Sequence, residues 1–276
     1  MAHIVIVTHT FDDFRQRRYL LLDLIAYWRS DAHKVSVVEG LDDWPDADIA
    51  ILHVDHSLVP DAYIQACSRY PKVINHRAID IRKRMVSSNL VSQDDDWGGP
   101  VIVKTNLNHG GLPEMYYFQR MHKAGQAPGM SQAGMIFSKE PYSVLASKAE
   151  VNPVLWNQPG VVVEKFLPES DTRGYWNRVW YFFGQAERCM RVLREDPVRK
   201  VGDVLERQSV EVPAEIRAER ERLGFDYGKF DFVVHEGRAV LLDASRTPLS
   251  LGQQAGAALA AQFAPLAKGI ADWLDS

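Results

Sequence analysis

Two aspartates, Asp231 and Asp243, stand near the ends of the run Phe230-Asp231-Phe232-Val233-Val234-His235-Glu236-Gly237-Arg238-Ala239-Val240-Leu241-Leu242-Asp243. Carboxylates brought together attract a hard cation. Phe232, Val234, Val240 and Leu242 alternate with Asp231, Val233, Leu241 and Asp243, the period-two pattern of a hairpin with one buried face. The loop sets the register. A two-residue loop at Glu236-Gly237 pairs Asp231 with Leu242, whereas a three-residue loop through Arg238 pairs Asp231 with Asp243 on one face. The three-residue loop is the reading adopted here. Two acids that merely end a solvated hairpin would carry the same pattern, so the rest of the chain has to support it.

A second run, Val101-Ile102-Val103-Lys104-Thr105-Asn106-Leu107-Asn108-His109-Gly110-Gly111, is an apolar strand that delivers a lysine into a loop with two glycines. Backbone N–H groups at such a junction can cradle phosphate oxygens, and the lysine adds a mobile positive charge. The loop fits neither Gly-x-x-x-x-Gly-Lys-Ser/Thr nor Gly-x-Gly-x-x-Gly. Cys67 and Cys189 are far apart and lie in no metal-type or Cys-x-x-Cys spacing. They read as buried thiols in a reducing compartment, without a catalytic role.

The elements that must position these groups come from a chain of 276 residues, 46% hydrophobic and 25% charged. That is the composition of a soluble globular protein, long enough for one large domain or two or three lobes. Net charge is −4 and the pI about 6.1, with acids and bases interspersed. Neither a nucleic-acid-binding tract nor a polybasic membrane patch is present. No apolar stretch approaches the roughly 18 residues of a membrane span, and Met1-Ala2-His3 leads into Ile4-Val5-Ile6-Val7 rather than a basic leader. A cytoplasmic protein is expected.

Residues 1–75 alternate strand, helix, strand, strand, helix, strand: Ile4 to Val7, Phe14 to Trp28, Lys34 to Val38, Ile49 to Val54, Asp61 to Arg69 and Lys72 to Asn75. This predicts a small parallel α/β lobe. Ligands of such sheets lie beyond the carboxyl ends of the strands, which here carry Thr8-His9-Thr10, Asp55-His56 and Asn75-His76. A basic helix follows over Ile79 to Leu90, with Arg82, Lys83 and Arg84, and Asp94-Asp95-Asp96 with Trp97-Gly98-Gly99-Pro100 marks a boundary. Residues 112–150 are ambiguous apart from a helix near Met115 to Ala124. Strands are predicted at Gly160 to Glu169, stopped by Pro168, and at Asn177 to Phe183 and Glu187 to Leu193 around Gly184-Gln185. A charged helix covers Ala214 to Leu223, and Gln253 to Leu274 reads as a closing amphipathic helix.

Taken in order, these pieces resemble the ATP-grasp superfamily, most of whose members join a carboxylate to an amine through an acyl-phosphate. The resemblance spans most of the chain. It implies an α/β fold in which a small N-terminal lobe (1–75) precedes an ATP-grasp-like region (76–276), with a lid lobe at about 101–160 and a nucleotide cleft between two lobes. Val73-Ile74-Asn75, Ala78-Ile79 and the basic segment look like the approach to the family's central domain, where Lys83, or its rival Arg84, would reach the nucleotide phosphates. Lys104 matches the second phosphate lysine, and Asn108-His109-Gly110-Gly111 the flexible glycine loop. Glu164-Lys165-Phe166-Leu167 looks like the hinge strand. The Lys165 carbonyl and the Leu167 amide can meet the N6 amine and N1 of adenine, with apolar neighbours enclosing the base. Glu169 would hold ribose hydroxyls, and Arg178 resembles a phosphate-contacting arginine. Lys200 is a weaker phosphate candidate. Asp231, Asp243 and Ser245 occupy the metal-ligand positions, with Asp243 and Ser245 where the family commonly has Glu and Asn. Both can offer oxygen to Mg²⁺, but Asp is one methylene shorter and Ser is a weaker neutral ligand. The short interval between Lys83 and Lys104 implies a trimmed central segment.

The resemblance therefore implies ATP and Mg²⁺ as cofactors and small-molecule carboxylate and amine substrates, with no nucleic acid or membrane partner and a homodimer left open. Arg246 is the candidate anchor for a carboxylate or acyl-phosphate, because a guanidinium binds two oxygens at once. Two alternatives stay open: phosphotransfer to a non-carboxylate acceptor, and a catalytically weak nucleotide-binding or interaction protein.

Overall fold

Runs of β-branched residues that are apolar on both faces form the centre of a parallel sheet. Strands β1 (His3–Thr8) and β3 (Ile49–Leu52) are flanked by β2 (Lys34–Glu39) and β4 (Val73–Ile74) in the order β2-β1-β3-β4. Helix α1 (Leu20–Ser30) covers the face of Ile4, Ile6, Ile49 and Ile51. Helix α2 (Asp61–Cys67) covers the face of Val5, Val7, Ala50 and Leu52. The computed structural model describes residues 1–198, 204–250 and 261–274, so Lys200 and the first part of the expected closing helix lie outside the described residues.

Two expected helices differ. α1 starts at Leu20 rather than Phe14, because Phe11 and Asp13 adopt φ of 64° and 53° in a turn that carries Asp12 inward. The basic helix shrinks to the single turn α3 (Lys83–Val86). Tertiary hydrogen bonds claim its backbone on both sides: the amides of Ile81, Lys83 and Val91 donate to the carbonyls of Ser57, Asn106 and Val163, and the Lys165 amide donates to the Asn89 carbonyl. Within the expected closing helix, the described residues include a 3₁₀ segment, Ala264–Ile270, followed by the short helix Ala271–Leu274.

A three-stranded antiparallel sheet, order β6-β5-β7, comprises β5 (Val101–Thr105), β6 (Ser143–Leu145) and β7 (Val161–Lys165), with helix α4 (Leu112–Lys123) inserted between β5 and β6. The largest sheet contains β8 (Glu169–Asp171), β9 (Gly174–Phe183), β10 (Ala186–Arg194), β11 (Glu206–Ser209), β12 (Tyr227–His235) and β13 (Arg238–Ser245) in the order β11-β10-β9-β12-β13, with β8 also on β9. Alternation divides β9 between two cores. Tyr181 and Phe183 pack toward α1, while Trp180 and Phe182 pack beneath Ile216 of α5 (Ala214–Leu223). Asn75 ties β4 to this sheet: its side chain accepts from the amides of Asp226 and Tyr227 and donates to the Tyr227 carbonyl.

The hairpin β12–β13 pairs Asp231 with Asp243, but by a different route from the one expected. Its loop is the two-residue Glu236-Gly237, with φ of 50° and 79°, as a type I′ turn requires. From His235↔Arg238 to Phe232↔Leu241 the register follows that loop, and then a bulge shifts it by one residue so that Asp231 meets Asp243. The two-residue loop alone would have sent Asp243 to the opposite face. One extra residue at Leu242 returns it, the re-aiming that bulges perform beside functional sites.

Candidate functional site

The three-stranded sheet and the hairpin face each other across an open cleft. β5 contributes Ile102 and Lys104, the segment after β7 contributes Phe166 to Glu169, and the hairpin contributes Asp231, Val233, Leu242 and Asp243; Lys83 of α3 and Tyr142 complete one end. That end is polar. The rest of the lining mixes Phe166, Leu167, Tyr175 and Trp176 with Asn177, Arg194 and Asp196.

Charges at the polar end come in pairs. Lys83 Nζ lies 3.0 Å from Asp243 Oδ1, Lys229 Nζ 2.9 Å from Asp231 Oδ2, and Lys104 Nζ 2.6 Å from Glu164 Oε2. Burial opposes the charge on Lys83, but Asp243, Tyr142 and Glu164 outweigh it and raise its pKa above the ordinary lysine value. Glu164 is buried behind Lys104, and its Oε1 finds no hydrogen-bond partner. The Tyr142 ring lies about 6 Å from both ammonium groups, 6.0 Å from Lys83 and 5.9 Å from Lys104. The pairing of Val103 with Ser143 accounts for this, since its continuation sets Tyr142 across from Lys104.

Several residues sit elsewhere than expected. Arg84 is exposed and donates to the Val161 carbonyl, so of this pair Lys83 is the one that lines the cleft. Arg178 pairs across from Phe232, so alternation turns it away from the face of Asp231; its guanidinium forms a bidentate bond with Glu169. Glu169 also accepts from the Val234 amide at 2.7 Å. Gly110 and Gly111 do not line the cleft. Their φ values are 68° and 72°, and a Cβ on Gly110 would stand 2.2 Å from the Ser138 carbonyl oxygen, so these glycines permit close backbone packing rather than a phosphate cradle. Ser245 shares the face of Asp243, two residues on, and pairs with Lys229 outside the cleft lining.

Arg246 is the clearest departure. It is fully buried, and its guanidinium donates to the carbonyls of Val54, His56 and Ala78, which spends it on joining the hairpin to the N-terminal lobe. Burial lowers its pKa to about 10. Conversely, Lys229 and Tyr142 join the site without having been singled out. Lys229 precedes Asp231 by two residues, so strand periodicity could have found it; Tyr142 depends on a register that no local signal announces.

The donor set suits magnesium. Among the described residues no group of three or more His, Cys, Asp or Glu converges, but Mg²⁺ characteristically takes one or two carboxylates together with substrate phosphates. Asp231 and Asp243 on one face of the cleft meet that requirement.

A second polar cluster covers the strand tips of the N-terminal lobe. Asp55 accepts from Thr247 Oγ1 at 2.5 Å, and the Tyr19 hydroxyl oxygen lies between Asp55 at 3.0 Å and Asp12 at 2.6 Å. The His9 and His56 rings stack 4.1 Å apart. Burial lowers the pKa of His9 to about 4 and that of His53 to about 3, and raises that of Asp12 to about 7. The Asn108 amide donates to Ser57 Oγ and its side chain to the Ala244 carbonyl, linking this cluster to the hairpin. Cys67 and Cys189 are buried free thiols, and among the described residues no helix is long and apolar enough to cross a membrane.

No family model and no curated protein matches the sequence. Solved structures do match the fold. A D-alanine–D-alanine ligase from Bacillus anthracis complexed with ATP is 14% identical, with 100% of this chain and 98% of that chain covered, at a TM-score of 0.54. A RimK domain protein of ATP-grasp type from Sphaerobacter thermophilus is 13% identical over 98% of this chain and 100% of its own, at 0.53. The D-cycloserine synthetase DcsG is 15% identical over 99% of both chains, at 0.51.

Proposed function

We propose that this chain, which has the ATP-grasp fold, binds ATP with magnesium in the cleft and uses it to join a carboxylate to an amine. The observation that carries this reading is the convergence of Lys83, Lys104, Asp231 and Asp243 on one cleft that is also lined by Phe166, Leu167, Tyr175 and Trp176. The adenine would lie among Phe166, Leu167 and Trp176. The amides of Lys165 and Phe166 are already engaged by the carbonyls of Asn89 and Pro100, which leaves the Leu167 amide to donate to N1. Glu169, oriented by Arg178, would accept from ribose hydroxyls. Lys83 and Lys104 would contact the phosphates, and Asp231 and Asp243 would hold a magnesium ion, whose chemistry is to neutralise charge on phosphate oxygens.

In the reaction a substrate carboxylate oxygen attacks the γ-phosphorus as the bond to the β,γ-bridging oxygen breaks, giving an acyl-phosphate and ADP. The amine nitrogen then attacks the acyl carbon, phosphate departs, and the nitrogen loses a proton. The protein supplies charge and position rather than a covalent nucleophile. Lys104→Ala combined with Glu164→Gln, so that no buried carboxylate is left unpaired, tests the phosphate assignment by calorimetry. A non-hydrolysable ATP analogue should bind at least about tenfold more weakly, the size of a lost charge-assisted hydrogen bond, while adenosine binds as before. Equal losses for both ligands would reject the assignment.

A further inference from the structure

Each hairpin acid rests on an ammonium group. Lys83 Nζ is 3.0 Å from Asp243 Oδ1, with the lysine side chain 2% exposed, and Lys229 Nζ is 2.9 Å from Asp231 Oδ2. Lys83 is delivered by a fixed element: its amide donates to the Asn106 carbonyl, and the Ser87 amide closes the turn onto the Lys83 carbonyl. Asp231 and Asp243 are direct cross-strand partners, and like charges at that position repel unless something neutralises them. An ammonium or a metal can do so. The same Asp243 oxygen cannot give its full charge to both.

We propose that Lys83, seconded by Lys229, holds the place of the divalent cation on the hairpin acids, and that the phosphate tail of the nucleotide releases Asp243 to the metal by drawing Lys83 onto itself. The exchange conserves charge: phosphate oxygens replace Asp243 as the partner of Lys83, and the metal replaces Lys83 as the partner of Asp243. Because coupling between two ligands is reciprocal, metal also strengthens phosphate binding, beyond the association of the two in solution. The inference rests on the cleft being a nucleotide site. It adds that the protein resists metal until nucleotide arrives.

Mn²⁺ alone, followed by electron paramagnetic resonance without nucleotide, is the probe. Lys83→Met should bind Mn²⁺ about tenfold tighter than the wild type, and Lys83→Arg, which restores the charge, should return to weak binding. Calorimetry of the same Lys83→Met protein with an ATP analogue should show weaker binding, an opposite movement that general damage to the site would not produce. Mn²⁺ affinity in Lys83→Met equal to or below that of the wild type overturns the proposal. Should that variant fail to fold, acylation of the wild type read by mass spectrometry decides: saturating Mn²⁺ should speed labelling of Lys83 but not of the exposed Lys123. Unchanged labelling of Lys83 overturns the exchange. The metal measurements need no nucleotide, so a wild type that behaves as expected with Mn²⁺ yet binds no nucleotide sinks the reading of the cleft. One that binds MgATP while Lys83→Met leaves Mn²⁺ affinity unmoved sinks only the exchange.

Discussion

At the polar end of the cleft, Lys83, Lys104 and Lys229 each meet a carboxylate within 3.0 Å. At the strand tips of the N-terminal lobe the buried histidines are instead held neutral: His53 and His56 have no hydrogen-bond partner on either ring nitrogen, and His9 has none on Nε2. The two clusters are joined by the end of β13 and the residues just after it, since Asp243 belongs to one cluster and Thr247 to the other. Their chemistry differs because their partners do. Lys83, Lys104 and Asp231 are buried but each faces an opposite charge, so charge persists there, whereas desolvation at the tips is the largest influence on each histidine and removes its charge. Paired charges suit a site that must accept a charged ligand. Neutral buried rings suit a joint between lobes.

Arg246 lies between the clusters, and its replacement gives the largest expected effect on the joint. Arg246→Met would leave the carbonyls of Val54, His56 and Ala78 without their donor, each worth about 1–3 kcal/mol when buried unsatisfied, so a loss of roughly 3 kcal/mol or more is expected in urea unfolding. If stability were unchanged while substrate affinity disappeared, Arg246 would be an anchor for substrate and the contrast between the clusters would fail.

A smaller effect is expected from pH. His9, His53 and His56 all have folded pKa values below the ordinary histidine value near 6.5, so the unfolded chain takes up protons first as pH falls, and the folded state loses stability from about 6.5 down toward 4. Asp12, raised to about 7, acts in the opposite sense, because the folded state keeps its proton across that window; the raised Glu114 adds to it. With three rings against two acids the net expectation is lower stability at pH 5 than at pH 7, and His53→Leu should flatten the slope. Denaturant midpoints at the two pH values check this. Equal or greater stability at pH 5 would show that burial does not hold these rings neutral.

The parallel lobe was legible because residues such as Ile4 to Val7 and Ile49 to Leu52 are apolar on both faces, and α5 because Gly224 ends it in the left-handed conformation, with φ of 68°. The basic helix was not, because its hydrogen bonds go to Ser57, Asn106 and β7 rather than along the chain, and such partners leave no local trace. The hairpin is the instructive case: the alternation identified the face, while the bulge at Leu242 that puts Asp243 on it has no periodic signature. Arg246 failed for a related reason, since an arginine beside two acids reads the same whether it faces a ligand or, as here, three backbone carbonyls.

The central claim is that the hairpin acids and the cleft together form a metal-assisted nucleotide site. It is tested most directly by calorimetric titration of the wild type, Asp231→Asn and Asp243→Asn with a non-hydrolysable ATP analogue, each with Mg²⁺ and with a chelator. The wild type should bind markedly tighter with Mg²⁺. Each variant removes one charged oxygen ligand at nearly constant volume and should lose most of that gain. If both variants bind the magnesium–nucleotide complex as the wild type does, Asp231 and Asp243 hold no metal and the proposed site is wrong.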